Sequence, residues 1–167
     1  MAKAKTNNQK LVRSIFAHLK IKEPPTPLNK IAKYLAYQIQ EHDFPDDFDG
    51  VNFSKKGEGL IGVNSNHHLH RQRFTVAHEL SHFMKGHTIS QTELNNYAQR
   101  KTADLYNPED IQEREANFLA SEILIPRHFL EKDVLKYTVD ELCKRYLVSK
   151  QAMLIKLQRA NLAPNYS

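Results

Sequence analysis

His78-Glu79-Leu80-Ser81-His82, an H-E-x-x-H pattern, is the stretch on which the reading of this chain turns. On an α-helix, residues four apart share a face, so His78 and His82 can present two imidazoles to one ion. Glu79 then stands beside them, where a carboxylate can take a proton from water at a metal. With nine histidines in 167 residues, chance matches to this pattern number roughly 0.03. Phe74, Val76, Ala77, Leu80 and Phe83 supply an apolar face, which predicts a packed helix over about 67–85 that Gly86 closes. Zinc suits neutral nitrogen ligands and lowers the pKa of its water to about 7. One zinc ion per chain is therefore expected, with manganese or iron as alternatives because affinity order alone does not decide occupancy.

Two histidines do not complete such a site, which needs a third protein ligand and an open position. His87, His67, His68 and His70 are candidates, together with the carboxylates of the helix expected after Pro108. His87 lies just past Gly86 and would need the chain to fold straight back. His67, His68 and His70 belong to a solvated helix start. Glu113 and Glu115 lie on an amphipathic helix that can pack beside the first. Asn117, four residues after Glu113, shares its face and can hydrogen-bond a metal-binding histidine. That favours Glu113. For an oxyanion partner His87, Tyr97, Tyr106 and Arg73 all qualify, and spacing does not choose among them.

Outward from the motif, the pattern is helices, a small sheet, then helices. Residues 1–8 read as a flexible basic tail. Leu11, Val12, Ile15, Phe16 and Leu19 predict a helix over Asn8–Ile21, which Pro24, Pro25 and Pro27 end before a second helix begins near Leu28. Tyr37–Gln40 alternates as a strand does. After the acidic loop Asp43–Gly50, glycines punctuate two more strands, near Val51–Phe53 and Leu60–Val63, with a turn at Lys55–Gly59. The expectation is an α+β fold, mostly helical, with a small three-stranded antiparallel sheet. Residues 88–107 are polar and read as a loop or short helix. Pro108 opens a helix that lasts to Pro126, and two short helices follow at about 138–146 and 149–160, Ser149 capping the second.

Composition narrows the class. Hydrophobic residues make up 40% and charged residues 26% of the chain, an ordinary globular balance. No apolar run approaches the roughly 18–20 residues that span a bilayer, so no membrane partner is expected. A single cysteine, Cys143, closes no internal disulfide, and Met1–Lys10 has no apolar stretch of a secretory signal. A cytoplasmic location is the expectation. Residues 1–33 set eight Lys/Arg against Glu23 alone, but no aromatics interleave there as in a nucleic-acid surface.

Arg73-Phe74-Thr75-Val76-Ala77-His78-Glu79-Leu80-Ser81-His82 resembles the R-F-T-x-A-H-E-x-G-H block of the ImmA/IrrE metallopeptidases. Glu113-Arg114-Glu115-Ala116-Asn117-Phe118-Leu119-Ala120, leading to Ile123-Leu124-Ile125-Pro126, resembles that family's E-x-x-A-N-x-F-A…L-L-x-P block. The resemblance covers about residues 28–160. It implies a zincin-like fold, with His78, His82 and Glu113 as metal ligands, Glu79 as general acid/base and Asn117 orienting a ligand. It implies limited proteolysis of a helix-turn-helix repressor, which derepresses phage, mobile-element or stress genes. Two positions depart from the blocks: Ser81 replaces a glycine, and Leu119 occupies a phenylalanine position beside Phe118.

The expected organisation is a metallopeptidase domain over 9–133 and helix-turn-helix-like helices over 134–167 packed on it. In the latter, Leu142, Tyr146, Val148, Ala152 and Met153 form the inner face. Lys150, Gln151, Lys156 and Arg159 point outward, an arrangement compatible with DNA or with docking of a repressor. The rival reading is a non-catalytic zinc-containing binding module, an anti-repressor or toxin–antitoxin component, acting through these helices. Glu79 separates the two, since a structural zinc needs no carboxylate beside its histidines.

Overall fold

The computed structural model describes residues 2–55, 58–87 and 108–163. The tip of the 55–59 turn and the polar stretch 88–107 lie outside the described residues. The elements run α1 (Ala2–His18), α2 (Leu28–Tyr34), β1 (Tyr37–His42), β2 (Gly50–Lys55), β3 (Glu58–Asn64), α3 (Leu69–Lys85), α4 (Pro108–Leu124), α5 (Arg127–Asp133), α6 (Val139–Tyr146) and α7 (Lys150–Ala160). The fold is α+β, as expected. The chain forms two compact units, Leu28–Ala120 and the pair of segments Met1–Pro27 and Ser121–Ser167.

In the unit Leu28–Ala120, α2 and α3 cover one face of the sheet. Ile31, Ile61, Val76, Ala77 and Leu80 are buried there. The all-antiparallel expectation is corrected: the strand order is β1-β3-β2, with β1 parallel and β2 antiparallel to β3. The loop after β1 does not turn back as a hairpin. It crosses the end of β3, where the Asn64 carboxamide donates to the carbonyls of Pro45 and Phe48, both at 2.8 Å. Alternation marks a strand but says nothing of its neighbour's direction, and the loop's anchor is a single asparagine side chain. Gly50 allows the sheet to meet α3, because a Cβ there would lie 2.5 Å from the Gly62 carbonyl oxygen and 2.7 Å from Thr75 Cγ2. On α3 itself the expected apolar face is narrower than its sequence pattern. Phe74 and Phe83 are exposed; Phe83 lies edgewise against the Tyr37 ring, and Phe74 lies at a tilt of 34° beside the His78 ring.

In the other unit, α1 starts at Ala2, well before the expected start at Asn8. Its early Ala, Lys and Gln residues are good helix formers that need no apolar stripe. The short helix α5 went unread in the sequence; its seven residues are too few to establish a period. Thr138 caps α6 in a capping box with Glu141, and Ser149 caps α7, accepting from the Ala152 N–H. Between them Leu147 takes the left-handed conformation that a glycine would otherwise supply. Leu142, Tyr146, Val148 and Met153 are buried as expected. Lys156 is not outward. It is buried, and its Nζ donates to Glu122 Oε2 at 2.6 Å, while the other carboxylate oxygen caps α5 by accepting from the Arg127 N–H. Asp133 likewise accepts from Arg145 Nε and from the Tyr146 hydroxyl, both at 2.9 Å. The basic outer face of α7 is correspondingly thinner.

Breaking a buried pair leaves an uncompensated charge. Lys156→Ala should therefore lower the unfolding free energy by about 3–5 kcal/mol, whereas Lys150→Ala, on the exposed face, should leave it unchanged. Denaturant titration of the two variants beside the parent measures this.

Candidate metal centre

The centre lies within the unit Leu28–Ala120. The helix α3 carries His78, Glu79 and His82 on buried positions, at 7%, 4% and 7% exposure. His78 and His82, one turn apart, turn their Nε2 atoms toward each other at 2.9 Å. The helix α4 brings Glu113 across, with Oε2 3.3 Å from His78 Nε2 and Oε1 3.2 Å from His82 Nε2. These three side chains are the group able to hold a metal ion among the described residues. A tetrahedral ion about 2.0–2.1 Å from each ligand would set ligand atoms roughly 3.3 Å apart. The observed spacings are close to that.

The hydrogen-bond chemistry also fits a cation. Asn117 Oδ1 lies 3.1 Å from His78 Nδ1, and an amide oxygen only accepts, so His78 Nδ1 donates and its Nε2 carries a lone pair. That lone pair points at the group formed with His82 and Glu113, where a carboxylate and two imidazoles concentrate donor atoms with no proton of their own to share. Burial lowers the His78 pKa, but the hydrogen bond and charge of Glu113, the charge of Glu79 and the Asn117 bond outweigh it, so the imidazole sits above its ordinary value of 6.5.

Asn117 stands where the sequence places it, and the pairing of Glu113 and Asn117 with the same imidazole establishes the register of α4. Leu119 is fully buried and Phe118 exposed, so the displaced aromatic does not shift the helix. Ser81 is accommodated by donating its hydroxyl to the Ala77 carbonyl at 2.6 Å. Among the other histidines, His68 caps α3, accepting from the His70 N–H, and His67 contacts Asp46 and Asp49. None of these three reaches the centre. Of the oxyanion candidates, Tyr97 and Tyr106 lie outside the described residues, and Arg73 is about 140° around α3 from His78. His87 does lie at the centre, against His82 Nδ1 at 3.1 Å. Asn52, which the sequence did not single out, reaches from β2 to donate to the Glu79 carbonyl at 3.4 Å.

Residues 32–158 match the IrrE N-terminal-like domain of the peptidase M78 family. The chain belongs to that family. The resemblance drawn from the two sequence blocks is thereby confirmed. No curated protein matches the M78 chain. Among solved structures, a Mycobacterium tuberculosis transcriptional regulator is similar at a TM-score of 0.64 and 15% identity, over 95% of this chain and 47% of that one. The likeness is one of fold, and this chain spans about half of that protein's length. No helix among the described residues is long and apolar enough to cross a membrane.

A proton and a metal ion compete for His78 Nε2. Because the imidazole pKa is raised, protonation begins above pH 6.5, and metal affinity should fall as pH drops through that range. Zinc titrations against a chromophoric chelator at stepped pH measure it. Affinity independent of pH would show that His78 is not among the ligands.

Proposed function

We propose that this chain is a zinc-dependent endopeptidase that cleaves a helix-turn-helix transcriptional repressor at one site and so derepresses phage, mobile-element or stress genes. The observation that carries the hydrolytic part is Glu79, a buried carboxylate one residue from His78, on the helix that supplies two of three converging ligand atoms. His78, His82 and Glu113 would hold the ion, and a bound zinc ion supplies Lewis acidity toward water and the scissile carbonyl.

The chain's own groups then do the following. Glu79 accepts a proton from the attacking water and delivers it to the departing amine, so that no free base or acid is required from solvent. Asn117 holds the His78 ring so that Nε2 keeps its lone pair. Asn52 ties β2 to the backbone of Glu79. Among the described residues β2 is an edge strand, and a sheet edge suits an extended peptide laid alongside. A polypeptide, rather than a small amide, is the substrate class such an edge favours.

The repressor as substrate is supported by what the two sequence blocks imply, and the similarity to a transcriptional regulator agrees with a regulatory setting. The pairing of Lys156 with Glu122 removes one cation from the face that DNA would need, so a protein partner is favoured over direct DNA contact. A cytoplasmic location follows from such a substrate.

The test is incubation of zinc-loaded protein with a helix-turn-helix repressor drawn from its gene neighbourhood, read by intact-mass spectrometry. Two fragments from one cut are expected. Glu79→Gln should bind zinc and the repressor normally yet cut about 10²–10⁴-fold more slowly. Equal cutting by the variant would remove Glu79 from the mechanism. Repressor binding without cutting by either protein would favour the binding-module reading.

A further inference from the structure

His82 has a partner of its own on the side away from Glu113. Its Nδ1 meets His87 Nδ1 at 3.1 Å, and His87 Nε2 meets Glu115 Oε2 at 3.2 Å. His87 reaches this place because Gly86, at φ 67°, closes α3 in the left-handed conformation, and the His87 N–H then donates to the His82 carbonyl at 3.0 Å. The His87 side chain is 7% exposed and that of Glu115 47%. The row His82–His87–Glu115 is therefore anchored at a half-exposed carboxylate and ends at the centre.

Donor and acceptor roles along this row follow from its outer end. A carboxylate only accepts, so His87 Nε2 carries the proton. In a neutral imidazole the other nitrogen is then an acceptor, so His87 Nδ1 receives the bond and His82 Nδ1 donates it. His82 Nε2 is left with its lone pair, aimed at His78 and Glu113. We propose that His87 and Glu115 are positioning residues that set the tautomer and ring orientation of His82 for metal binding, as Asn117 does for His78. The inference rests on the metal-centre reading above and extends it to two further residues. Glu113 and Glu115, two apart on α4, thereby divide the work: one is a ligand, and the other orients a ligand through an intervening imidazole.

Loss of such an orienting partner typically costs about 10–100-fold in metal affinity. The test uses the full chain and zinc alone, with affinity from chelator competition and tautomers from long-range ¹H–¹⁵N correlation spectra of the histidine rings. His87→Ala should bind one zinc about 10–100-fold more weakly. His87→Asn, whose carboxamide oxygen can take the place of Nδ1 and accept from His82, should recover most of that loss. Glu115→Gln should keep the zinc stoichiometry while His87 loses its single Nε2–H form. In the His87→Asn background, Glu115→Gln should have no further effect, because the row is already cut.

Glu113→Gln serves as the reference. If it loses zinc while His87→Ala binds as tightly as the parent, the metal centre stands and the positioning role is overturned. A His87 protonated on Nδ1 in the parent overturns it as well. Loss of zinc stoichiometry in Glu115→Gln overturns it by making Glu115 a ligand. If the parent itself takes up no zinc, the metal-centre reading falls, and this inference with it.

Discussion

Two imidazole nitrogens 2.9 Å apart, each about as close to one carboxylate, form the arrangement to which the unit Leu28–Ala120 is built. Two lone pairs and a carboxylate repel one another in a buried place unless a cation or a proton lies among them. The scaffold must therefore hold α3 and α4 in one register. A slip of one residue along α4 would turn Glu113 by about 100° and carry it about 1.5 Å along the axis. The register is locked at a single ring: His78 is met at Nε2 by Glu113 and at Nδ1 by Asn117, and these two residues lie one helical turn apart. The fully buried Ala116, Leu119 and Ala120 occupy the same helix, so its polar and apolar contacts specify one setting.

The sheet serves that arrangement from the other side. Asn52 on β2 hydrogen-bonds the backbone of Glu79, and Gly50 allows β2 to come within reach of Thr75 without a side chain between them. The loop across the end of β3, tied to Asn64, lets β1 and β2 flank the central strand. A conventional hairpin after β1 would put β2 where β3 runs and take Asn52 away from α3. The mixed sheet is thus a requirement of the site and not an ornament of the fold.

How much of this was legible in the sequence depended on the range of the interaction. The helix α3 and its stop at Gly86 were legible because a 3.6-residue period and a left-handed glycine are local properties. The pairing of Glu113 with Asn117 was legible because both lie on one helix. Strand direction in the sheet was not, since it depends on Asn64 reaching the carbonyls of Pro45 and Phe48. The helix α5 was too short to show a period. Lys156 was misplaced because a lysine on an amphipathic helix is ordinarily outward, and its buried partner, Glu122, is 34 residues away. The role of Glu79 belongs to a different category, since it was read from chemistry and spacing and is decided only by cutting a substrate.

The two histidines of the centre are held by unlike means, and the difference has a physical reason. His78 lies inside α3, where the facing helix α4 passes close enough for a short carboxamide at Asn117 to reach it directly. His82 lies one turn nearer the end of α3, and the residue of α4 that serves this side, Glu115, reaches it only through an intermediate. The chain fills that gap with its own next segment. Gly86 reverses the backbone, and His87 falls between His82 and Glu115 as a flat group able to accept on one nitrogen and donate on the other. Few other side chains could do so: a hydroxyl is too short, and a lysine cannot accept. The nearness of His87 to the motif, which counts against it as a third ligand because the chain must fold straight back, is what suits it to orient the second.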